Sequence, residues 1–255
     1  GGHAPPLDTP VSIYRKDERA EGLRLGDLKD WEAPQLPSRT AISGRYVTLE
    51  PLLPGHLAGL FEAYAEDPEH AMWHYLPVGP FADPEAYAAW LDAARLCHDP
   101  LHFAIRMEDG RLGGTLSLMR ITPQAGSIET GWLTFAPRLQ RTREATEAVY
   151  RLMAWSFEAG YRRFEWKCDA ANLPSRRAAQ RFGLSYEGVF RQAAVVKGRN
   201  RDTAWFAAID REWPALKAAF ETWLEPANFD EADQQRQSLA ALTAPILVSR
   251  DPALD

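Results

Sequence analysis

The 255-residue chain is 45% hydrophobic, 25% charged and 11% aromatic with a formal net charge of −6, values that fit a globular protein and exclude a disordered or collagen-like one. A chain of this length can bury roughly 70–75% of its unfolded surface and folds without a disulfide or metal staple. Its longest apolar runs fall short of the roughly 18–20 residues that span a bilayer, and no signal peptide opens the sequence, so a membrane span and secretion are both disfavoured.

Residues 1–38 are rich in proline (Pro5, Pro6, Pro10, Pro34, Pro37) and weakly periodic, which predicts an extended N-terminal arm; Gly1-Gly2-His3 reads as a tag remnant. Arg45–Leu52 alternates as a first strand, and Leu57, Leu60, Phe61 and Tyr64 follow at helical spacing. Asp83-Pro84-Glu85 opens a second helix, with Asp83 as N-cap and Pro84 at its first position. Between these helices lies an aromatic loop, Met72-Trp73-His74-Tyr75-Leu76-Pro77. Asp109-Gly110 between the apolar runs 102–107 and 112–119 predicts a hairpin. A strand over 127–135 then leads into the longest amphipathic helix, 143–159, whose apolar stripe carries Val149, Leu152, Met153 and Phe157 and which Gly160 closes. Phe164–Asp169 alternates as a strand, 175–182 is a short helix, and strands 187–196 and 203–209 meet at Lys197-Gly198. The order β-α-α-β-β-β-α-β-α-β-β describes a single mixed α/β (α+β) domain over about 39–224, followed by a C-terminal tail over 225–255.

Charge is unevenly distributed. Residues 138–211 hold 15 Lys and Arg against 8 Asp and Glu, while the remainder is acidic. That asymmetry suits an anionic ligand. A nucleic-acid partner is disfavoured, because no RNA- or DNA-binding signature is present and acidic surroundings oppose a long phosphate track. Cys97 and Cys168 form no CxxC motif and suit a reducing, cytoplasmic compartment. His70/His74 and His98/His102 have helical spacing but no HExxH pattern, and no metal site is expected.

The chemistry concentrates in two stretches. In the first, a strand runs into Gln140-Arg141-Thr142-Arg143-Glu144-Ala145-Thr146 and on into the long helix. Such a junction offers unpaired amides and a positive dipole end to a diphosphate, with Thr142 as N-cap and Arg141 and Arg143 adding charge. In the second, Asn172 and Ser175 lie just past a strand end, where both also fit as helix caps.

As a linked series, Ile128-Glu-Thr-Gly-Trp-Leu133, Gln140–Ala148, Asp169–Arg176 and Arg181-Phe-Gly-Leu-Ser-Tyr-Glu-Gly188 resemble the GNAT superfamily, specifically its RimJ/RimL-type N-acetyltransferases, over roughly residues 40–215. Arg191, Lys197–Asp202 and Glu212-Trp-Pro214 extend the likeness. The resemblance implies a mostly antiparallel central sheet flanked by helices, acetyl-CoA as donor, and a primary amine as acceptor, on a small molecule or a peptide or protein N-terminus; a homodimer is left open. It implies cofactor contacts from Leu133, Thr134, Phe135, Gln140, Arg141, Thr142, Arg143, Glu144, Ala145, Thr146, Asn172, Ser175 and Arg176. Arg143 stands where the usual loop has a glycine, and a side chain there restricts positive φ.

Amide formation needs a base for the amine, a donor to the thioester oxygen and an acid for the leaving sulfur. Glu129 is the candidate base, a backbone N–H near Leu133–Phe135 the oxygen donor, and Ser175 the group serving the sulfur. Some enzymes of this type carry a glutamate on the strand before the Lys197-Gly198 turn, where this chain has Ala194. Trp73, His74, Tyr75 and Trp132 are the candidate acceptor residues. The altered loop and the missing strand glutamate motivate an alternative, a CoA-binding module with little or no catalysis.

Overall fold

The computed structural model describes residues 28–254 together with Ile13, Arg19 and Ala20. The chain divides into two units, 1–32 and 33–255, and most of the expected arm lies outside the described residues. Its last part does not stand off from the larger unit: Pro34 is buried, and the Tyr161 hydroxyl donates to the Gln35 carbonyl at 2.9 Å.

Eight strands make one sheet: β1 (Ile42–Ser43), β2 (Thr48–Pro51), β3 (Leu101–Arg106), β4 (Leu112–Thr122), β5 (Ser127–Phe135), β6 (Arg163–Asp169), β7 (Ser185–Val196) and β8 (Arg199–Ile209). Their spatial order is β1-β2-β3-β4-β5-β6-β8-β7, and every neighbouring pair is antiparallel except β5–β6. This is the expected single mixed domain, with β1 as an unanticipated two-residue edge. The Asp109-Gly110 hairpin forms as read, Gly110 supplying the φ of +86° that a side chain resists.

The main helices are α1 (Leu57–Tyr64), α2 (Pro84–Ala94), α3 (Arg143–Glu158), α4 (Leu173–Arg181), α5 (Trp213–Leu224) and α6 (Leu239–Thr243). Asp83 caps α2 by accepting the Ala86 amide at 2.8 Å. Helices α1 and α2 cover one face of the sheet through a cluster that includes Leu60, Tyr64, Tyr87, Leu91, Ala104 and Leu112. On the other face, α3 buries Val149, Leu152, Met153 and Phe157 with Phe164, Phe206 and the α5 residues Phe220 and Trp223. Full burial of such side chains stabilises by about 1.5–3 kcal/mol each, so Leu152→Ala would cost about 2–5 kcal/mol. Among the described residues, no helix is long and apolar enough to cross a membrane.

The segment after α5 is built into this unit. Leu239 is fully buried, the Thr243 hydroxyl donates to the Arg181 carbonyl at 2.9 Å, and Asp251 is fully buried against α4. The folded unit therefore runs well past residue 224, where the composition had marked a tail.

Candidate active site

The two parallel strands stay paired only where Ser127–Glu129 faces Arg163–Glu165. Beyond Glu129 they separate, while β5 continues along β4 to Phe135. Thr115 faces Thr134 but Ser117 faces Gly131, so β5 carries one extra residue, a bulge in which Trp132 takes φ +53°. A left-handed conformation costs a non-glycine residue about 1–2 kcal/mol. Packing from the flank holds it: the Trp132 ring lies 6.2 Å from Trp90 and 6.1 Å from His102. At Gly131 an added Cβ would meet the Met119 sulfur, so a side chain there would require the flexible end of Met119 to shift. An open strand edge results, with main-chain groups of β5 facing away from β4 and reaching no partner strand among the described residues.

Helix α3 begins beside this edge. Thr142 is its N-cap: Thr142 Oγ1 accepts the Ala145 amide at 3.1 Å, and the Thr142 carbonyl accepts Thr146. Among the described residues, the Arg143 and Glu144 amides have no partner at the positive end of the helix. The backbone strain expected at Arg143 falls instead on Arg141, with φ +62°, because Arg143 is already the first helical residue. Arg143 lies 4.3 Å over the Tyr46 ring and 5.1 Å over Phe229, with Glu108 and Asp233 each 3.8 Å away. Gln140 is turned back to donate to the Phe135 carbonyl at 2.8 Å. Glu144 does not run free into solvent; it accepts the Glu108 amide at 2.9 Å, and burial raises its pKa. Thr146 accepts a bond from Arg181 at 3.0 Å, and Thr134 is buried outside the cleft wall.

Helix α4 faces the same opening. Asn172 caps it by accepting the Ser175 amide at 3.2 Å, so the capping reading and the cleft position coincide. Ser175 Oγ accepts the Trp166 indole N–H at 3.1 Å, so the indole does not take up the hydroxyl proton. Beside it, the buried Cys168 thiol is pushed above its ordinary pKa by burial, with Ser175 pulling the other way. Arg176 departs from expectation. It is buried and donates to both oxygens of Asp251 at 2.7 Å and to the Ala170 carbonyl at 2.9 Å, so the chain's own end engages the group read as a cofactor contact.

Glu129 is 1% exposed, and both its oxygens take bonds from Lys167 Nζ, at 2.9 and 2.8 Å, while Arg120 reaches one of them at 3.2 Å. Burial raises its pKa, against the lowering by Lys167 and Arg120. The candidate base is thus a clamped carboxylate rather than an open one. Alternation on β6 carried a signal for this clamp, since Glu165, Lys167 and Asp169 share the polar face of the strand next to Glu129.

All these elements surround one cleft of about 1720 Å³, lined among others by Glu129, Trp132, Leu133, Phe135, Gln140–Thr146, Asn172 and Ser175. From the aromatic loop, Tyr75 and Met72 reach its wall, and the Tyr75 hydroxyl donates to the Ala171 carbonyl at 3.3 Å. Trp73 does not; it is buried between Tyr64 and Phe81 as part of the core under α1 and α2. His74 is exposed outside the wall, its ring edge-on to Tyr75. The sequence reading also missed Arg201 and the tail residues Phe229 and Asp233–Gln235, which line the cleft. Nothing local in the sequence marks the tail residues, which arrive there through the return of the chain after α5.

The open strand edge fits a pantetheine arm, and the free amides at the mouth of α3 fit a diphosphate. A family model described as the acetyltransferase (GNAT) domain matches residues 47–185. A GCN5-related N-acetyltransferase from Brucella melitensis is 45% identical, with TM-score 0.83 over 85% of this chain and 100% of its own. A probable GNAT-family acetyltransferase from Chromobacterium violaceum is 41% identical, with TM-score 0.70 over 75% and 97%. The Salmonella typhimurium acetyltransferase that modifies the N-terminal serine of ribosomal protein L7/L12 shares the fold at 22% identity, with TM-score 0.58 over 67% and 99%. A comparison with curated proteins found no significant match. The chain belongs to the GNAT acetyltransferase family and is an acyltransferase.

Proposed function

We propose that this enzyme is an N-acetyltransferase of RimJ/RimL type, moving an acetyl group from acetyl-CoA to a primary amine, of a small molecule or of a peptide or protein N-terminus, by direct attack. The observation that carries the reading is the placement of the α3 mouth, the open edge of β5 and the Ser175 hydroxyl around one cleft. The ribosomal-protein acetylation of the Salmonella enzyme lends the peptide acceptor its support.

When bound, acetyl-CoA supplies a thioester carbonyl open to attack and a thiol that can leave. The Arg143 and Glu144 amides, with Arg141 nearby, would hold its diphosphate, and the amides of residues 131–135 its pantetheine arm. One of those strand amides would also meet the carbonyl oxygen as charge builds there. Ser175, which accepts a bond from Trp166, would donate a hydrogen bond to the departing sulfur as charge builds on it. Glu129 would receive the amine's proton, directly or through water, with Lys167 and Arg120 favouring its ionised form against the effect of burial. Tyr75 and Trp132 would flank the acceptor.

Thiol release from acetyl-CoA, measured against a panel of small amines and peptides, tests this reading. Acceptor-dependent release with an acetylated amine as product is expected. Binding of acetyl-CoA without release on any acceptor would leave the alternative of a binding module.

A further inference from the structure

Of the basic residues that line the cleft, Lys167, Arg143 and Arg181 are engaged by the protein itself, while Arg141 and Arg177 are exposed and form no ion pair among the described residues. Lys167 is held by Glu129, Arg120 by Glu129 and Glu165, Arg163 by Glu165 and Glu187, and Arg176 by Asp251. Arg201 differs. It lies on β8, lines the cleft, and its Nε is buried with no hydrogen-bond partner. Among the described residues it forms no ion pair. Its cross-strand neighbour on β7 is Ala194, which brings no carboxylate. The nearest carboxylates in sequence and register are committed elsewhere, Asp169 to the Ala171 amide and Asp202 to Gln192 and Asn200.

An arginine desolvated on one edge without a partner is costly, and an acceptor that completes its fork recovers the cost, an anion most strongly. Register places Arg201 beyond the end of β6, since Asp169 faces Thr203 two residues farther along β8. The hairpin carrying Arg201 is tied to the aromatic loop, because Lys197 Nζ at its turn donates to the Trp73 carbonyl at 2.9 Å. Arg201 therefore shares the cleft wall with Tyr75 and belongs to the acceptor's half of the site, whereas Arg141 and Arg143 stand at the α3 mouth.

Resting on the acetyltransferase reading, we propose that the acceptor carries an anionic group, carboxylate or phosphate, besides its reacting amine, and that Arg201 binds that anion. The planar guanidinium suits either group through paired hydrogen bonds. Specificity then depends on a molecule that spans the distance from Arg201 to the reacting centre.

Matched acceptors test it: an amino acid against its amide, and an aminoalkyl phosphate against the corresponding amino alcohol. Wild-type kcat/KM should favour one anionic member at least tenfold, and whichever pair shows the preference identifies the anion. In Arg201→Gln that ratio should fall to about one, and Arg201→Lys should restore part of it. Calorimetric titration of the same amines into the enzyme with CoA gives a readout independent of turnover. Arg201-dependent binding of the anionic member without turnover would uphold the anion site while removing the acetyltransferase reading. Turnover with no preference in either pair would overturn the anion site alone. A rise in the Kd of acetyl-CoA in Arg201→Gln as large as the loss of discrimination would assign Arg201 to the coenzyme and overturn the proposal.

Discussion

Lys167 Nζ sits between both carboxylate oxygens of Glu129, at 2.9 and 2.8 Å, at the point where β5 and β6 part. Two opposing effects meet in this carboxylate. Burial favours its protonated form, while Lys167 and then Arg120 favour the ionised one, and burial prevails.

The first prediction follows from that balance. If Glu129 is the base, kcat/KM falls on the acid side as the carboxylate takes up a proton. Lys167→Met removes a charge that lowers the Glu129 pKa, so the acid limb should move to higher pH. Glu129→Gln should abolish the limb and lower kcat by about 10²-fold. A limb that stays in place in Lys167→Met would locate the base elsewhere.

Ser175 is predicted to act on the leaving group. Ser175→Ala should lower kcat by about 10²-fold with little change in KM for acetyl-CoA, the pattern of an interaction made mainly in the transition state. A thioester with a more acidic thiol needs less help from an acid, so the variant's deficit should shrink with such a donor. An equal deficit with both donors would remove this role.

The sequence was legible where local rules decide structure. Asp83, Thr142 and Asn172 each cap a helix through the expected side-chain acceptor, and Asp109-Gly110 turns its hairpin. Alternation fixed the faces of β6, including the apolar placement of Cys168. What escaped depends on contacts distant in sequence. Trp73 and His74 look alike beside Tyr75 in a loop, and only the packing of Tyr64 and Phe81 draws Trp73 into the core. Local sequence does not distinguish Arg176 from a cofactor ligand, because its partner Asp251 lies 75 residues later. The glycine missing at Arg143 marks the wrong position, because the left-handed turn comes two residues earlier, at Arg141.

Arg141 separates backbone from charge. It is exposed, its φ is +62°, and among the described residues it has no hydrogen-bond or ion-pair partner. Arg141→Gly should relieve about 1 kcal/mol of strain and raise the urea midpoint. The same change removes a positive charge from the proposed diphosphate site. It should weaken acetyl-CoA binding severalfold and flatten the salt dependence of Kd. Stability and affinity moving in opposite directions is the expected result; affinity unchanged at low salt would place Arg141 away from the diphosphate.

His102 sets a pH dependence on the fold. Burial lowers its pKa from 6.5 to about 4, and the ring lies between Trp90 and Trp132 with Nδ1 buried and unpartnered. Between these values the unfolded chain binds the proton and the folded one does not. Stability is therefore complete above about pH 6.5 and declines as pH falls towards 4, by up to about 3 kcal/mol. Urea unfolding across this range should show the decline, and His102→Leu should remove that part of it.

Arg176 and Asp251 are both buried, and each nitrogen–oxygen contact between them is 2.7 Å. Asp251 also accepts the Ala253 amide, and its own amide donates to Gln180, so the pair fastens the chain's end to α4. Removing one partner leaves a desolvated charge with nothing opposite it. Arg176→Met should therefore destabilise by about 3–5 kcal/mol. Replacing both, in Arg176→Met with Asp251→Leu, takes two charges out of an apolar setting together and should regain most of the loss. Urea midpoints of the two single variants and the double variant give the coupling directly. Independent, additive losses would mean that the pair does not hold the segment, and that Arg176 is free to serve the cleft as its position in the sequence had suggested.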